Sequence, residues 1–213
     1  MTSLPPARRI AEPERRERIL QAAERAFVRH GFHATTMQHV ADELGMSAGN
    51  LYRYFPSKEA IVEGLCAVDQ AERARAFAEL MADNCNILKA ICAALRKHVL
   101  AKPPEKARLI VEIWAEAGRN PRVAAITRAI DADVLAGLER LMDAAKAGGA
   151  ASPGLDSRFG ARFFLTFVAG IFKRIAIEAD FDRNAETAMA VGVLKALFAG
   201  ALSQGPPAPG EEA

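Results

Sequence analysis

The stretch MSAGNLYRYFPSK, residues 46–58, concentrates hydrogen-bonding chemistry in a short span. Ser47, Ala48 and Gly49 are small, Asn50 carries an amide, Tyr52 and Tyr54 carry phenols, Arg53 stands between the two rings, and Lys58 adds an amine after Pro56. A helix entering the major groove of a duplex needs this combination, with small residues in its first turn for close approach and polar groups that reach base edges and phosphates. Asn pairs with base edges, Arg reads guanine bidentately or meets a phosphate by charge, and Tyr hydroxyls commonly bond phosphate oxygens. Gly49 sacrifices about 0.5 to 1 kcal/mol of helix stability relative to Ala, which points to a requirement other than propensity. Lys58, beside the free N–H groups of a helix start, suits a backbone phosphate.

Helical geometry separates the rings. Leu51 and Phe55, four positions apart, share one face and form the natural buried side, whereas Tyr52 lies some 100 degrees from Leu51. Tyr54 falls at the margin of that face, with its ring partly packed and its hydroxyl directed outward. Two short helices with a Gly turn also occur as ordinary packing, so spacing alone leaves both readings open.

Other chemistry finds less support. Cys66, Cys85 and Cys92 show neither C-x-x-C nor Cys/His ligand spacing, so no zinc site or disulfide framework is indicated, and reduced, buried thiols are expected. Of the histidines, His30, His33 and His39 crowd into the N-terminal region, where His39 could face a duplex, and His98 stands apart with Glu112 as a polar group able to orient a ligand. No Ser/His/Asp or Cys/His arrangement is visible, so an enzyme is not expected, and no metal or cofactor is called for. Residues 1–60 hold nine Lys and Arg against seven Asp and Glu, so the formal net charge of +2 lies entirely in that quarter of the chain. With no apolar leader at the N-terminus and no apolar run of membrane-spanning length, a cytoplasmic protein with no membrane partner is expected.

The elements that must position these groups are helices. A hydrophobic share of 51% in 213 residues supports a packed core. Periodicity and punctuation place helices over about 14–30, 37–44, 48–54, 57–81, 84–102, 105–118, 122–146, 155–179 and 184–202. Gly31 ends the first and Gly45 the second. Thr35, in a capping box with Gln38, or Thr36 opens the second, and Ser47 caps the third, with Met46 and Leu51 as a hydrophobic staple. The second and third helices, joined by about three residues, have helix-turn-helix spacing. The expectation is an all-α protein of about nine helices. A flexible arm (1–13) leads to a three-helix helix-turn-helix unit (14–56), followed by a larger helical bundle (57–202) and a Pro- and Gly-rich disordered tail (203–213).

Over roughly residues 15–65 the sequence resembles the TetR family of bacterial transcriptional regulators. It has an amphipathic first helix, the Gly-aromatic step GF, the TT pair, a V-A helix ending in Gly, Ser at the next cap, LYRYF and SKE. WAEAGRNP at 114–121 resembles a stretch found in a number of members. The resemblance implies double-stranded operator DNA as partner, with Thr36, Tyr52, Tyr54 and Lys58 on phosphates. Ser47, Ala48, Gly49 and Asn50 would open the recognition helix, with Arg53 at a base-contact position. Many members carry Lys where this chain has Ala48, which leaves the operator preference open.

The resemblance further implies a homodimer built mainly from the last two helices, for which Phe167, Gly170, Ile171, Ala188, Val191, Gly192, Lys195 and Ala199 are candidates. It also implies a small hydrophobic or amphipathic effector, with Phe77, Met81, Cys85, Leu88, Cys92, Trp114, Met142, Phe163 and Phe167 as candidate pocket lining, although ordinary core packing explains the same apolar residues. The expected function is a homodimeric repressor released from a palindromic operator by its effector; a ligand-responsive activator or a helical protein-interaction module is the alternative.

Overall fold

In the computed structural model, residues 12–82 and 87–202 are described, with only the helical backbone given for residues 80–82. The expected arm up to residue 11 and the expected tail lie outside them. The first helix, α1 (Glu12–His30), begins two residues earlier than its apolar pattern suggests, because Pro13 sits in the first turn, where no intrahelical donor is forfeited. Glu12 and Glu14 at its start and Arg29 and His30 at its end complement the helix dipole. Its Ile19, Ala23, Ala26 and Phe27 are buried, as the sequence indicates, and Phe27 meets Phe32 edge-on at 5.2 Å.

The threonine pair divides the work at the next helix, α2 (Met37–Leu44). Thr36 is the cap: its hydroxyl oxygen accepts the His39 N–H at 3.2 Å, and His39 Nδ1 accepts the Thr36 N–H at 3.3 Å. Thr35 is buried, and its hydroxyl donates to Gly31 O at 2.6 Å. The capping box is therefore completed by His39 rather than by Gln38, which instead donates to Asp42 one turn on. Gly45 then takes the left-handed conformation, at φ 62°, and turns the chain toward α3.

The third helix, α3 (Ala48–Tyr52), is capped by Ser47, whose hydroxyl accepts the Asn50 N–H at 3.2 Å. It ends two residues short of the expected Tyr54. Pro56 disfavours helical geometry at Phe55, so the exit tightens into a turn in which Tyr54 and Phe55 both donate to Leu51 O. Leu51 and Phe55 are buried beside Ile61 and Val62 of the following helix, α4 (Lys58–Ala82). Ser57 caps that helix through the Ala60 N–H.

The chain forms two compact units that divide at Leu65 and Cys66, within α4. The second unit continues with α5 (Ile87–Leu95) and runs directly into a π-helical turn, Arg96–Leu100. Four further helices follow: α6 (Pro104–Ala117), α7 (Pro121–Ala147), α8 (Ser157–Ile177) and α9 (Arg183–Phe198). Asn120, Asp156 and Asp182 cap the last three, which shifts each start by one or two residues from the apolar pattern. Of the single helix expected over 84–102, residues 84–86 lie outside the described residues, and from Ile87 on it is a helix to Leu95 plus a wider turn, with the guanidinium of Arg183 donating to the carbonyls of Leu100 and Lys102 at its end. Leu138, Leu141, Met142, Phe164, Ile171, Ile175, Leu194 and Leu197 form the centre of the core, and among the described residues no strand occurs.

Candidate nucleic-acid interface

A helix of five residues cannot hold itself in water, so α3 owes its orientation to its neighbours. Leu51 and Phe55 anchor one side. Arg16 of α1 fastens the exit: its guanidinium donates to Tyr54 O at 3.0 Å and lies 4.4 Å above the Phe55 ring. The opposite face is open. Tyr52 is 51% exposed, and Ser47, Gly49 and Arg53 are exposed, while a Cβ added at Gly49 would meet no atom within 4 Å. Gly49, Tyr52 and Arg53, spaced i, i+3, i+4, share this face.

The other candidates are placed differently. Thr36 is exposed at the start of α2, its oxygen engaged by His39 and its O–H left to donate. Ala48, Asn50 and Tyr54 are half-buried. The Lys58 amine turns back into the unit, donating to Phe32 O at 2.9 Å and His33 O at 3.0 Å, 4.8 Å from the centre of the Phe32 ring. Two of its three donors are thereby taken, so the amine expected on a phosphate also ties α4 to the link before α2, with one donor left over. His39 is likewise committed to Thr36, with its ring 4.8 Å from that of His30.

Three arginines of α1 escaped the sequence reading. Arg15 and Arg18 line a concavity of about 330 Å³ together with Leu44, Gly45, Met46, Ser47 and Asn50, which sets two cations beside the turn and the α3 start. Their i, i+3 spacing in RRER was the available signal, and Arg16 between them was hidden by the distance in sequence to Tyr54.

In the second unit the pocket candidates serve several packing roles. Cys92 and Met142 are core residues, and burial pushes the Cys92 thiol up, away from reactive thiolate. Phe77 packs against Gly137, Trp114 meets Phe172 edge-on at 5.9 Å, Phe163 stacks with Phe159 at 6.2 Å, and Phe167 lies 6.4 Å from Phe164. Leu88 borders an open depression of about 530 Å³ with Lys195, Phe198, Ala199 and residues 149–153. The Met81 side chain and Cys85 lie outside the described residues.

Of the dimer candidates, Gly170, Ala188, Gly192, Lys195 and Ala199 are exposed, and Phe167 and Val191 are half-buried. Ile171 is only 2% exposed and belongs to the core, so it offers nothing to a partner. Two large apolar side chains extend the open face beyond the sequence reading: Ile177, 67% exposed and seven positions after Gly170, and Met189, 43% exposed beside Ala188. Among the described residues no group of three or more His, Cys, Asp or Glu could hold a metal ion, and no helix is long and apolar enough to cross a membrane.

Two family models match the chain: "Bacterial regulatory proteins, tetR family" over residues 19–65 and "BetI-type transcriptional repressor, C-terminal" over residues 88–199. The HTH-type transcriptional regulator UidR of Escherichia coli K12 is 31% identical over 193 residues, which cover 91% of this chain and 95% of UidR. The solved structure of Salmonella enterica GusR superposes with a TM-score of 0.75 at 29% identity, covering 89% of this chain and 98% of GusR. The fold is also shared with Bacillus subtilis FadR, solved in complex with stearoyl-CoA, at a TM-score of 0.72 and 20% identity over 86% of this chain and 98% of that one.

Proposed function

As the chain belongs to the TetR family of bacterial transcriptional regulators, which bind operator DNA and dimerise, we propose that it is a homodimeric repressor released from a palindromic operator by a small effector. Residues 14–56 form the DNA-binding segment and residues 57–202 the ligand-binding and dimerisation segment. The protein acts in the cytoplasm and catalyses no reaction. The observation that carries the reading is the open face of α3, where Ser47, Gly49, Tyr52 and Arg53 are all exposed while Leu51 is fully buried.

In this mechanism Ser47 and Gly49 let α3 approach the major groove closely, Arg53 reads a base or its phosphate, and Tyr52 and the Thr36 hydroxyl donate to phosphate oxygens. Arg15 and Arg18 add positive charge beside them. The outer faces of α8 and α9, with Gly170, Ile177, Ala188, Met189 and Gly192, pair with a second copy and set two α3 helices about 34 to 36 Å apart, one turn of DNA. An effector that binds more tightly to a DNA-incompetent spacing shifts the population away from the operator.

The test is a gel-shift titration of the full chain against palindromic duplexes from its own promoter region at several salt concentrations. Arg53→Ala should cost about 1 to 3 kcal/mol and relax sequence preference, whereas Tyr52→Phe should weaken binding evenly across sequences. Unchanged binding after joint substitution of Thr36, Tyr52 and Arg53 would sink the reading.

A further inference from the structure

The inward stripe of α4 contains a charge where the bundle calls for an apolar residue. Between residues 67 and 79 only Arg73, Ala76 and Phe77 are partly buried, and all their neighbours are exposed. Phe77 packs so closely on α7 that a Cβ added to Gly137 would come within 2.6 Å of its ring. Arg73 stands one turn earlier on that stripe, so its side chain enters the second unit beside this contact. Its Nε and Nη2 are both sealed from solvent and have no hydrogen-bond partner.

Among the described residues Arg73 forms no ion pair, and no acceptor meets either sealed nitrogen. A guanidinium keeps its charge in proteins, so loss of a proton cannot relieve it either. Donors sealed from solvent without a partner are unfavourable, and a planar fork of N–H donors is complementary to an oxyanion. The apolar surroundings, Ala76, Phe77 and the core that Phe77 packs against, specify the rest of the molecule.

We propose that Arg73 is the head-group site of the effector, and that the effector is an amphipathic oxyanion, a carboxylate or phosphate on an apolar body. This rests on the effector-released reading above and deepens it by naming the ligand class. The guanidinium donates to the oxyanion, and the apolar body lies along Phe77 toward the bundle core. The ligand-free protein leaves two sealed guanidinium donors unmet at this point, which binding satisfies.

The experiment uses the full chain and matched probes sharing one apolar body, from hexanoate to palmitate and from benzoate to naphthoate, each with its alcohol and phosphate-monoester counterpart. Thermal unfolding reports binding, and release of a promoter duplex reports function. Acid or phosphate probes should bind the native chain about tenfold or more tightly than their alcohols, the scale of one charge-assisted hydrogen bond. Whichever of the two series does so identifies the source of the oxyanion. Arg73→Met should erase that difference, raise the melting temperature of the ligand-free protein and leave duplex binding unchanged.

The inference is overturned if alcohols bind as well as acids, if Arg73→Met keeps the preference, or if inorganic phosphate alone stabilises as much as the amphipathic probes. A lower melting temperature for ligand-free Arg73→Met also overturns it, because the guanidinium would then be a structural tie. Duplex release by neutral probes alone sinks this inference while leaving the effector-released repressor standing. Failure of every probe to stabilise the protein or release the duplex sinks both.

Discussion

Replacing Lys58 with Met separates two roles that the sequence cannot distinguish. The ammonium donates to Phe32 O at 2.9 Å and His33 O at 3.0 Å and covers the Phe32 ring, so removing it frees two carbonyls and leaves the start of α4 untied. A hydrogen bond from a charged donor contributes about 1.5 to 3 kcal/mol where it is shielded. One of these two is exposed, and Met keeps the apolar stem, so the expected loss is about 2 kcal/mol for the pair. For a chain of this size unfolding as one, that lowers the melting temperature by about 4 to 8 °C. Circular dichroism at 222 nm measures the shift, and salt-dependent duplex titration measures the phosphate role. A free phosphate contact would lower the slope of log K against log salt by about 0.9. A melting temperature unchanged to within about a degree, with the slope reduced by that amount, would refute the structural tie.

Gly49→Ala should hold or raise the melting temperature, since Ala is favoured in helices by up to about 1 kcal/mol and its Cβ meets nothing, yet weaken binding in the duplex titration. Gly137→Ala should destabilise by about 1 to 3 kcal/mol in urea unfolding, because its Cβ would fall 2.6 Å from the Phe77 ring, and Phe77→Leu in the same chain should recover part of the loss. The hydrogen bond from Arg174 holds the Glu178 carboxyl below its ordinary value of 4.5, so its stabilising effect is present above that pH and lost as pH falls through the lowered value. Glu178→Gln should accordingly flatten the stability profile below about pH 4.5 and leave the shape of the profile near neutrality unaltered.

What could be read from sequence followed the range of the interactions involved. The bounds of α2 were legible because a threonine cap and a left-handed glycine are local signals, and the Ser47 cap of α3 was legible for the same reason. Choosing between Thr35 and Thr36 required knowing which hydroxyl faces the Ala26 and Gly31 carbonyls, a matter of tertiary packing. The tie made by Lys58 is not legible, because its acceptors lie 26 and 25 residues away, nor is that of Arg16, because Tyr54 lies 38 residues away. The π-helical turn ends against Arg183, 83 residues from Leu100, so no local pattern announces it. Ile171 and Gly170 are neighbours in sequence on α8, but only the packed structure shows that the first points into the core and the second out of it.

Glycines within helices offer a sharper test of where partners belong, because each sacrifices helix stability and therefore calls for a reason. At Gly64, Gly137 and Gly160 the reason is internal. An added Cβ would fall 2.8 Å from a Leu20 methyl, 2.6 Å from the Phe77 ring and 2.8 Å from the Met142 sulfur, so these positions let side chains or helices approach. At Gly49, Gly170 and Gly192 no such reason exists among the described residues, where the added Cβ would meet nothing within 4 Å and the backbone is not left-handed. The second set lies on the open face of α3 and on the outer sides of α8 and α9, where the proposed function places DNA and a second copy. A close approach that no described residue makes is room for a partner. Gly49 therefore argues for α3 as a groove-entering helix independently of the charge of Arg53, and Gly170 and Gly192 argue for close helix packing across a dimer independently of the exposed Ile177 and Met189.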